Sequence, residues 1–284
     1  IDIFIGVDSP DFNMFFHKKL KSRSVKTIQV VSPSVWGWRE NRIKSIQAYV
    51  DLTMCLFKFE CNFYDQKNMQ SFFLGHPFSQ LRPKNNDEVI KKHNLDASRD
   101  FISILPGSRA SEISQLMPVY LDAAKKLLNI NANTFFLIPA ANEKLAEMIE
   151  STKGINEIPY KLSIDSAQDF LSLSLISIVT SGTASLESAV LGSVPIICYK
   201  TNKLNYAILS RLVSTPFVGL PNLLLQDHIF PELIQHDLTP DAIVNSFSKI
   251  SSEPEKYQSY LSQINDSMLG EGFEVAAGAI DNLL

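Results

Sequence analysis

The sequence of 284 residues has no apolar run of about 18 residues or more, so no ordinary membrane-spanning helix is expected. Its three cysteines, Cys55, Cys61 and Cys198, are scattered and form no Cys-x-x-Cys pair. They exclude a disulfide frame and a zinc site, and read as reduced packing thiols of a cytosolic protein. Asp-x-Asp is missing, as is any His/Cys/Asp spacing suited to a metal, so no metal is expected. There is no Gly-x-Gly-x-x-Gly and no Walker lysine, which argues against a dinucleotide fingerprint and an ATPase loop. The turn "PGSRA" is not a Gly-x-Ser-x-Gly elbow, so no serine hydrolase triad is expected.

What is present reads as a globular protein, with 45% apolar and 20% charged residues. The net charge of −4 is unevenly spread: residues 1–92 carry +5 and residues 93–284 carry −9. A basic first part fits either a solvated helix face or contact with something anionic. Its basic runs, "HKKLKSRSVK" and "WRENRIK", do not alternate with aromatics, so no nucleic-acid partner is expected. The chain begins at Ile1, without Met and inside an apolar strand, which leads to the expectation of an N-terminal truncation.

Short continuous apolar runs alternate with helical periodicity. Strands are expected at "IDIFIGV", "KTIQVVS", "VDLTMCLF", "SFFLG", "FISILP", "TFFLIP", "YKLSI", "ISIVTS" and "PIICYK". Runs that do not alternate point to parallel sheets covered on both faces, hence an α/β fold of doubly wound sheets. Between them, "EISQLMPVYLDAAKKLL" places Ile113, Leu116, Met117, Tyr120, Leu121, Ala124, Leu127 and Leu128 on one helical face; Pro118 either kinks this helix or marks its first turn. The polar stretch 81–95 suggests a domain boundary. The expected division is 1–88, 89–240 and a C-terminal set of helices at 241–284.

In open α/β sheets ligands gather outside the carboxyl ends of the strands, so the residues that follow each strand are the candidates. After "FISIL" come Pro106, Gly107, Ser108 and Arg109. The turn suits an anion at a helix N-terminus, and equally a plain turn capped by Ser108 with Arg109 in solvent. After "ISIV" come Ser181, Gly182 and Thr183. Gly182 allows close approach of a ligand to the backbone, and Thr183 and Glu187 share a helical face that suits a phosphate and a sugar diol. Two such corners in one domain suggest the diphosphate of a sugar nucleotide. Asp8, after the first strand, is either a general base or a turn former. Trp36 and Trp38 either floor a pocket or pack in a bent loop. His76, before a proline, reads as a turn histidine.

In the same order along the chain, "GVDSPDFN", "VSPSVWGWRENRIKSI", "LGHPF", "LPGSRASEI", "TSGTASLESAVLGSVPIICYK" and "LPNLLL" resemble the lipid-A-disaccharide synthases, a family of bacterial glycosyltransferases. The resemblance covers nearly the whole chain. It implies a GT-B fold of two Rossmann-like domains with the active site in the cleft between them, the first domain being incomplete here. Its activity would be transfer of 2,3-diacylglucosamine from its UDP conjugate onto 2,3-diacylglucosamine 1-phosphate (lipid X). The product would be the β-1,6 disaccharide, with release of UDP and no metal or cofactor. Matched motif by motif, Asp8 would be the base and Arg109 would stabilise the diphosphate. Gly107, Ser108, Ser181, Gly182 and Thr183 would hold the UDP-sugar with Glu187, on the ribose, and Asn222. Asn13, Trp36, Trp38 and Arg39 would lie on the acceptor side. The family also implies a homodimer, working peripherally on the anionic cytoplasmic face of the inner membrane. It has an early Gly-Glu-Thr-Ser-Gly-Asp-like loop that this sequence lacks. The competing expectations are another GT-B UDP-sugar transferase, a UDP-sugar epimerase, and an inactive binding remnant.

Overall fold

The structure is a computed structural model, and it describes residues 1–35, 42–201 and 215–283. These residues form two compact units, 1–79 with 215–216 and 265–283, and 80–201 with 217–264.

The first unit carries strands β1 (Ile3–Val7), β2 (Lys26–Val30), β3 (Leu52–Cys55) and β4 (Ser71–Phe73). All pair in parallel, in the order β1-β2-β3-β4, with Ile28 opposite Leu52 and Met54 opposite Phe72. Helices α1 (Pro10–Lys21), α2 (Ile43–Tyr49) and α3 (Lys58–Asp65) connect them. Every residue of β3 is buried, as a strand covered on both faces requires. One cluster joins Ile28, Leu52, Met54, Phe72 and Leu74; another joins Val35, Ile46, Val50, Cys55, Cys61 and Tyr64. Burial of each large aliphatic or aromatic side chain stabilises the fold by about 1.5–3 kcal/mol.

The second unit contains α4 (Asn86–His93), β5 (Asp100–Leu105), α5 (Ala110–Ile130), β6 (Thr134–Ala140), α6 (Glu143–Glu150) and β7 (Tyr160–Ile164). It continues with α7 (Ala167–Leu173), β8 (Ile176–Thr180), α8 (Thr183–Val190), β9 (Val194–Tyr199), α9 (Leu220–Leu225) and β10 (Glu232–Ile234). Its parallel sheet has the order β10-β9-β8-β5-β6-β7. The chain winds outward from β5 through β6 and β7, then returns to β8 on the other side of β5. The crevice outside the ends of β5 and β8 is therefore the switch point at which such sheets bind ligands. Helix α5 starts at Ala110 and runs through Pro118, burying Ile113, Leu116, Met117, Tyr120, Leu121, Ala124 and Leu127.

All nine expected strands are present, and a tenth, β10, was not anticipated. The tail forms α10 (Pro240–Ser252), α11 (Pro254–Ser267) and α12 (Gly272–Asp281), but these helices do not stand as a unit of their own. Helix α10 lies against α5, whereas α12 returns to the first sheet, where Ala276, Ala279 and Ile280 cover Phe72 and its neighbours. The division between units falls before residue 80, ahead of the expected 88. The reason is Asp169 of α7, 3% exposed, which binds Lys84 (2.7 Å), Lys92 (2.6 Å) and His93 (2.8 Å) and fastens this segment to the second unit. Burial opposes ionisation of Asp169, but hydrogen bonds from Lys84, Lys92 and His93 outweigh it and hold the carboxyl well below its ordinary range.

Candidate functional site

The ends of β5 and β8 are tied by a hydrogen bond from the Thr180 hydroxyl to the carbonyl of Leu105 (3.0 Å). The corners that follow them open on one cavity of about 500 Å³. Gly107, Ser108, Arg109, Ser181, Gly182, Thr183 and Glu187 all line it, joined by Glu112, Asp165 and the end of β6. The anion corner read after β5 and the one read after β8 therefore share a single space.

The two corners differ in what occupies their amides. At the first, Gly107 has φ +108, and Glu112 reaches back so that one carboxylate oxygen accepts from the N–H groups of Ser108 (3.0 Å) and Arg109 (3.2 Å). Its other oxygen accepts from the Arg109 guanidinium at 2.8 Å. The cap thus comes from Glu112 at the third helical position, with Arg109 as N-cap residue, and not from Ser108 as the sequence suggested. A Cβ on Gly107 would clash with that carboxylate. At the second corner, Gly182 has φ +144 and a Cβ there would meet nothing within 4 Å. Helix α8 has no acidic residue in its first turn and no side-chain cap, so its amino end faces the cavity without a carboxylate over it.

Glu187 lies one turn along α8 from Thr183, half-buried, and is held by the Gln168 amide at 3.0 Å. The Ser181 hydroxyl donates to the carbonyl of Val218 (3.1 Å), just ahead of α9. Arg109 is the one cation among the described lining residues, with its side chain 77% exposed, against the carboxylates of Glu112, Asp165 and Glu187. Attraction for an anion here rests on Arg109 and the uncapped amino end of α8, because Glu112 already occupies the amides at the start of α5 and the acidic side chains oppose it.

Asn222 is placed differently from the expectation of a pocket residue. It is fully buried; its amide donates to the carbonyl of Phe230 and to Glu232 (2.8 Å each), and accepts from the N–H groups of Ile229 (3.1 Å) and Phe230 (2.8 Å). With its donors and acceptors spent on the chain, Asn222 anchors the loop between α9 and β10. It does not line the cavity.

In the first unit, Asp8 stands exposed at the carboxyl end of β1, at φ 49, with Ser9 beside it at φ 36. Consecutive non-glycine residues in the left-handed region are strained, and such strain gathers at functional sites. The expected acceptor-side residue Asn13 is buried, and its amide donates to the carbonyls of Asp8 (2.6 Å) and Val7 (3.3 Å). Trp36, Trp38 and Arg39 lie outside the described residues. His76 is a turn histidine: its Nδ1 accepts from the N–H of Phe78 (3.0 Å), and its ring stacks on Phe57. Burial lowers its pKa. The cysteines are free and buried, and burial pushes the Cys198 thiol up to about 12. Among the described residues no group of three His, Cys, Asp or Glu side chains could hold a metal, and no helix is long and apolar enough to cross a membrane.

Residues 1–274 match the family model described as lipid-A-disaccharide synthetase. The chain belongs to this family. The synthase of Alcanivorax borkumensis is 35% identical over 289 residues, covering 100% of this chain and 76% of that protein. That of Acinetobacter baylyi is 37% identical over 275 residues, covering 91% and 69%. Among solved structures, the UDP-GlcNAc 2-epimerase of Neisseria meningitidis, bound to UDP-GlcNAc, superposes with a TM-score of 0.60. At 12% identity, over 99% of this chain and 76% of that one, the likeness concerns the fold alone. The fold is the GT-B-like α/β fold with two parallel sheets. The family makes the chain a glycosyltransferase of lipid A biosynthesis and sets the epimerase reading aside.

Proposed function

We propose that the cavity at the ends of β5 and β8 binds the UDP portion of the donor, and that Asp8 activates the acceptor in the family's reaction. The donor is UDP-2,3-diacylglucosamine and the acceptor is lipid X. The observation that carries the reading is that two helix amino ends and Arg109 meet in one cavity at the switch point of the sheet. In this reading the diphosphate lies at the Gly182–Thr183 corner and takes Arg109 over from Glu112. Glu187, one helical turn away, accepts from the ribose hydroxyls.

Transfer proceeds as one inverting displacement. The Asp8 carboxylate takes the proton of the acceptor 6-hydroxyl, whose oxygen attacks the anomeric carbon of the donor. The bond from that carbon to the diphosphate oxygen breaks, and its electron pair leaves with UDP. Arg109 and the amino end of α8 stabilise the charge that develops there. No covalent glycosyl-enzyme forms, so mass spectrometry of the working enzyme finds no adduct. The proposal extends to a homodimer at the anionic cytoplasmic face of the inner membrane, a place suited to the +5 charge of residues 1–92.

The test is Arg109→Ala, assayed by UDP release with and without lipid X. Turnover is expected to fall by more than about a hundredfold, the scale of a lost oxyanion donor. The melting temperature is expected to hold, because the side chain is largely exposed. Near-normal turnover would remove Arg109 from the mechanism. Absence of acceptor-dependent UDP release from the unmodified chain would leave the binding-remnant reading in its place.

A further inference from the structure

Beneath the Asp8 corner lies a buried polar cluster that the reaction scheme does not use. Gln29 of β2 is 1% exposed, His17 of α1 is 0% exposed and Asn13 is 6% exposed. The Gln29 amide nitrogen faces three carbonyls, those of Asp8 (3.0 Å), Val30 (2.9 Å) and Val31 (3.3 Å). Two of these belong to left-handed residues, Asp8 at φ 49 and Val31 at φ 69. For a β-branched residue such as Val31 that conformation is an outlier. Val31 begins the loop that leads to Trp36 and Trp38.

We infer that Gln29 is a positioning residue for the transfer reaction, holding the two strained strand ends at Asp8 and Val31 in place, with His17 fixing its orientation. The inference rests on the reading of Asp8 as the base.

The orientation follows from chemistry. Three carbonyls can be met only by the NH₂ side of the Gln29 amide, so its Oε1 points the other way and accepts. It accepts from Asn13 Nδ2 (3.4 Å) and meets His17 Nε2 at 3.0 Å, so the proton of that contact sits on Nε2 of the imidazole. His17 Nδ1 is buried with no hydrogen-bond partner, as the bare nitrogen of that tautomer. Burial lowers the pKa of His17, against the hydrogen bond to Gln29 and the more distant charge of Asp51, which favours the neutral ring. His17 therefore serves as a donor of fixed direction and exchanges no proton with substrate. Asp8 and Val31 directly follow the paired strands β1 and β2, and one side chain bonds to both ends.

The experiment pairs turnover with amide hydrogen exchange. Gln29→Met keeps the length and removes every hydrogen bond. In it, exchange at the Asp8 and Val31 N–H groups is expected to quicken at least tenfold, and kcat to fall at least tenfold with the donor KM within twofold. Exchange and kcat both unchanged in the folded variant would overturn the inference. Should Gln29→Met not fold, His17 decides. His17→Gln retains a donor at the Nε2 position and should keep kcat and exchange within twofold of the unmodified protein, whereas His17→Leu should lose as Gln29→Met does. Equal losses in both, or a ring proton found on Nδ1 by ¹⁵N NMR, would overturn it. Full turnover in Asp8→Asn would instead sink the reading of Asp8 as base, and the exchange rates would still decide whether Gln29 holds the corners.

Discussion

In the second unit the left-handed corners after β5 and β8 are glycines, Gly107 and Gly182. In the first unit, after β1 and β2, they are Asp8, Ser9 and Val31. Glycine takes such a conformation without strain and leaves the backbone open to a ligand, which suits a site built from amides. It brings no functional group. Where the corner must present a carboxylate, a side chain has to stand in the strained conformation, and buried neighbours must hold it there. Asn13 and Gln29 do so for Asp8 through its carbonyl. At these strand ends the second unit offers its backbone and the first a side chain, whereas after β7 the second unit too sets a carboxylate, Asp165 at φ 52, at the rim of the cavity.

The strongest way to break this comparison is Asp8→Gly, which gives the first unit a glycine corner. Turnover is expected to fall by more than about a hundredfold, the scale of a lost general base. Stability to urea is expected to rise by about 1 kcal/mol as the strain is relieved, offset in part by the flexibility glycine adds to the unfolded chain. A stability loss together with retained turnover would reverse both halves of the comparison.

Next in size is Gly182→Val. A Cβ there meets nothing within 4 Å and projects from a corner that lines the cavity. The φ of +144 strains any residue other than glycine, so the melting temperature is read beside the affinity. UDP affinity by calorimetry is expected to drop at least about tenfold, or about 1.4 kcal/mol. Unchanged affinity would mean that UDP does not approach this corner.

A smaller effect separates the two glycine corners from each other. Glu112→Gln keeps a cap at Arg109 but removes the charge that competes with an anion. UDP is expected to bind more tightly by a factor of about three, and the helix to lose about 0.5 kcal/mol for the weakened charge at its amino end. Weaker UDP binding would make Glu112 a partner of the ligand and not its rival.

The smallest effect concerns acid. Because burial lowers the pKa of His17, the unfolded chain binds more protons than the folded one in the window from pH 6.5 downward to the folded value. Stability held above that window is lost as pH falls through it. His17→Gln should flatten the acid slope of urea midpoints over that range, and an unaltered slope would assign it to other groups, His76 among them.

The fold was legible because continuous apolar runs and helical periodicity survive in the sequence without knowledge of partners. The strand β10 was not, since three half-buried residues at the sheet edge carry no period. The glycine corners were legible in part: glycine with small hydroxyls after a strand also makes plain turns, and it was the occurrence of two such corners in one domain that pointed to a shared site. Gln29 and His17 were missed because a lone polar residue inside "KTIQVVS", or among lysines on a helix, announces no partner. Their meaning arises only when β1, β2 and α1 are packed together. Asn222 shows the converse. Its motif drew it into the site, whereas its burial and four hydrogen bonds give it to the loop.

A crystal structure of the protein with UDP tests the central claim most directly. The diphosphate should lie about 3 Å from the N–H groups at the Gly182–Thr183 corner, with the Arg109 guanidinium turned from Glu112 onto it and Glu187 on the ribose. UDP bound with its diphosphate outside the cavity shared by Gly107 and Gly182 would contradict the claim.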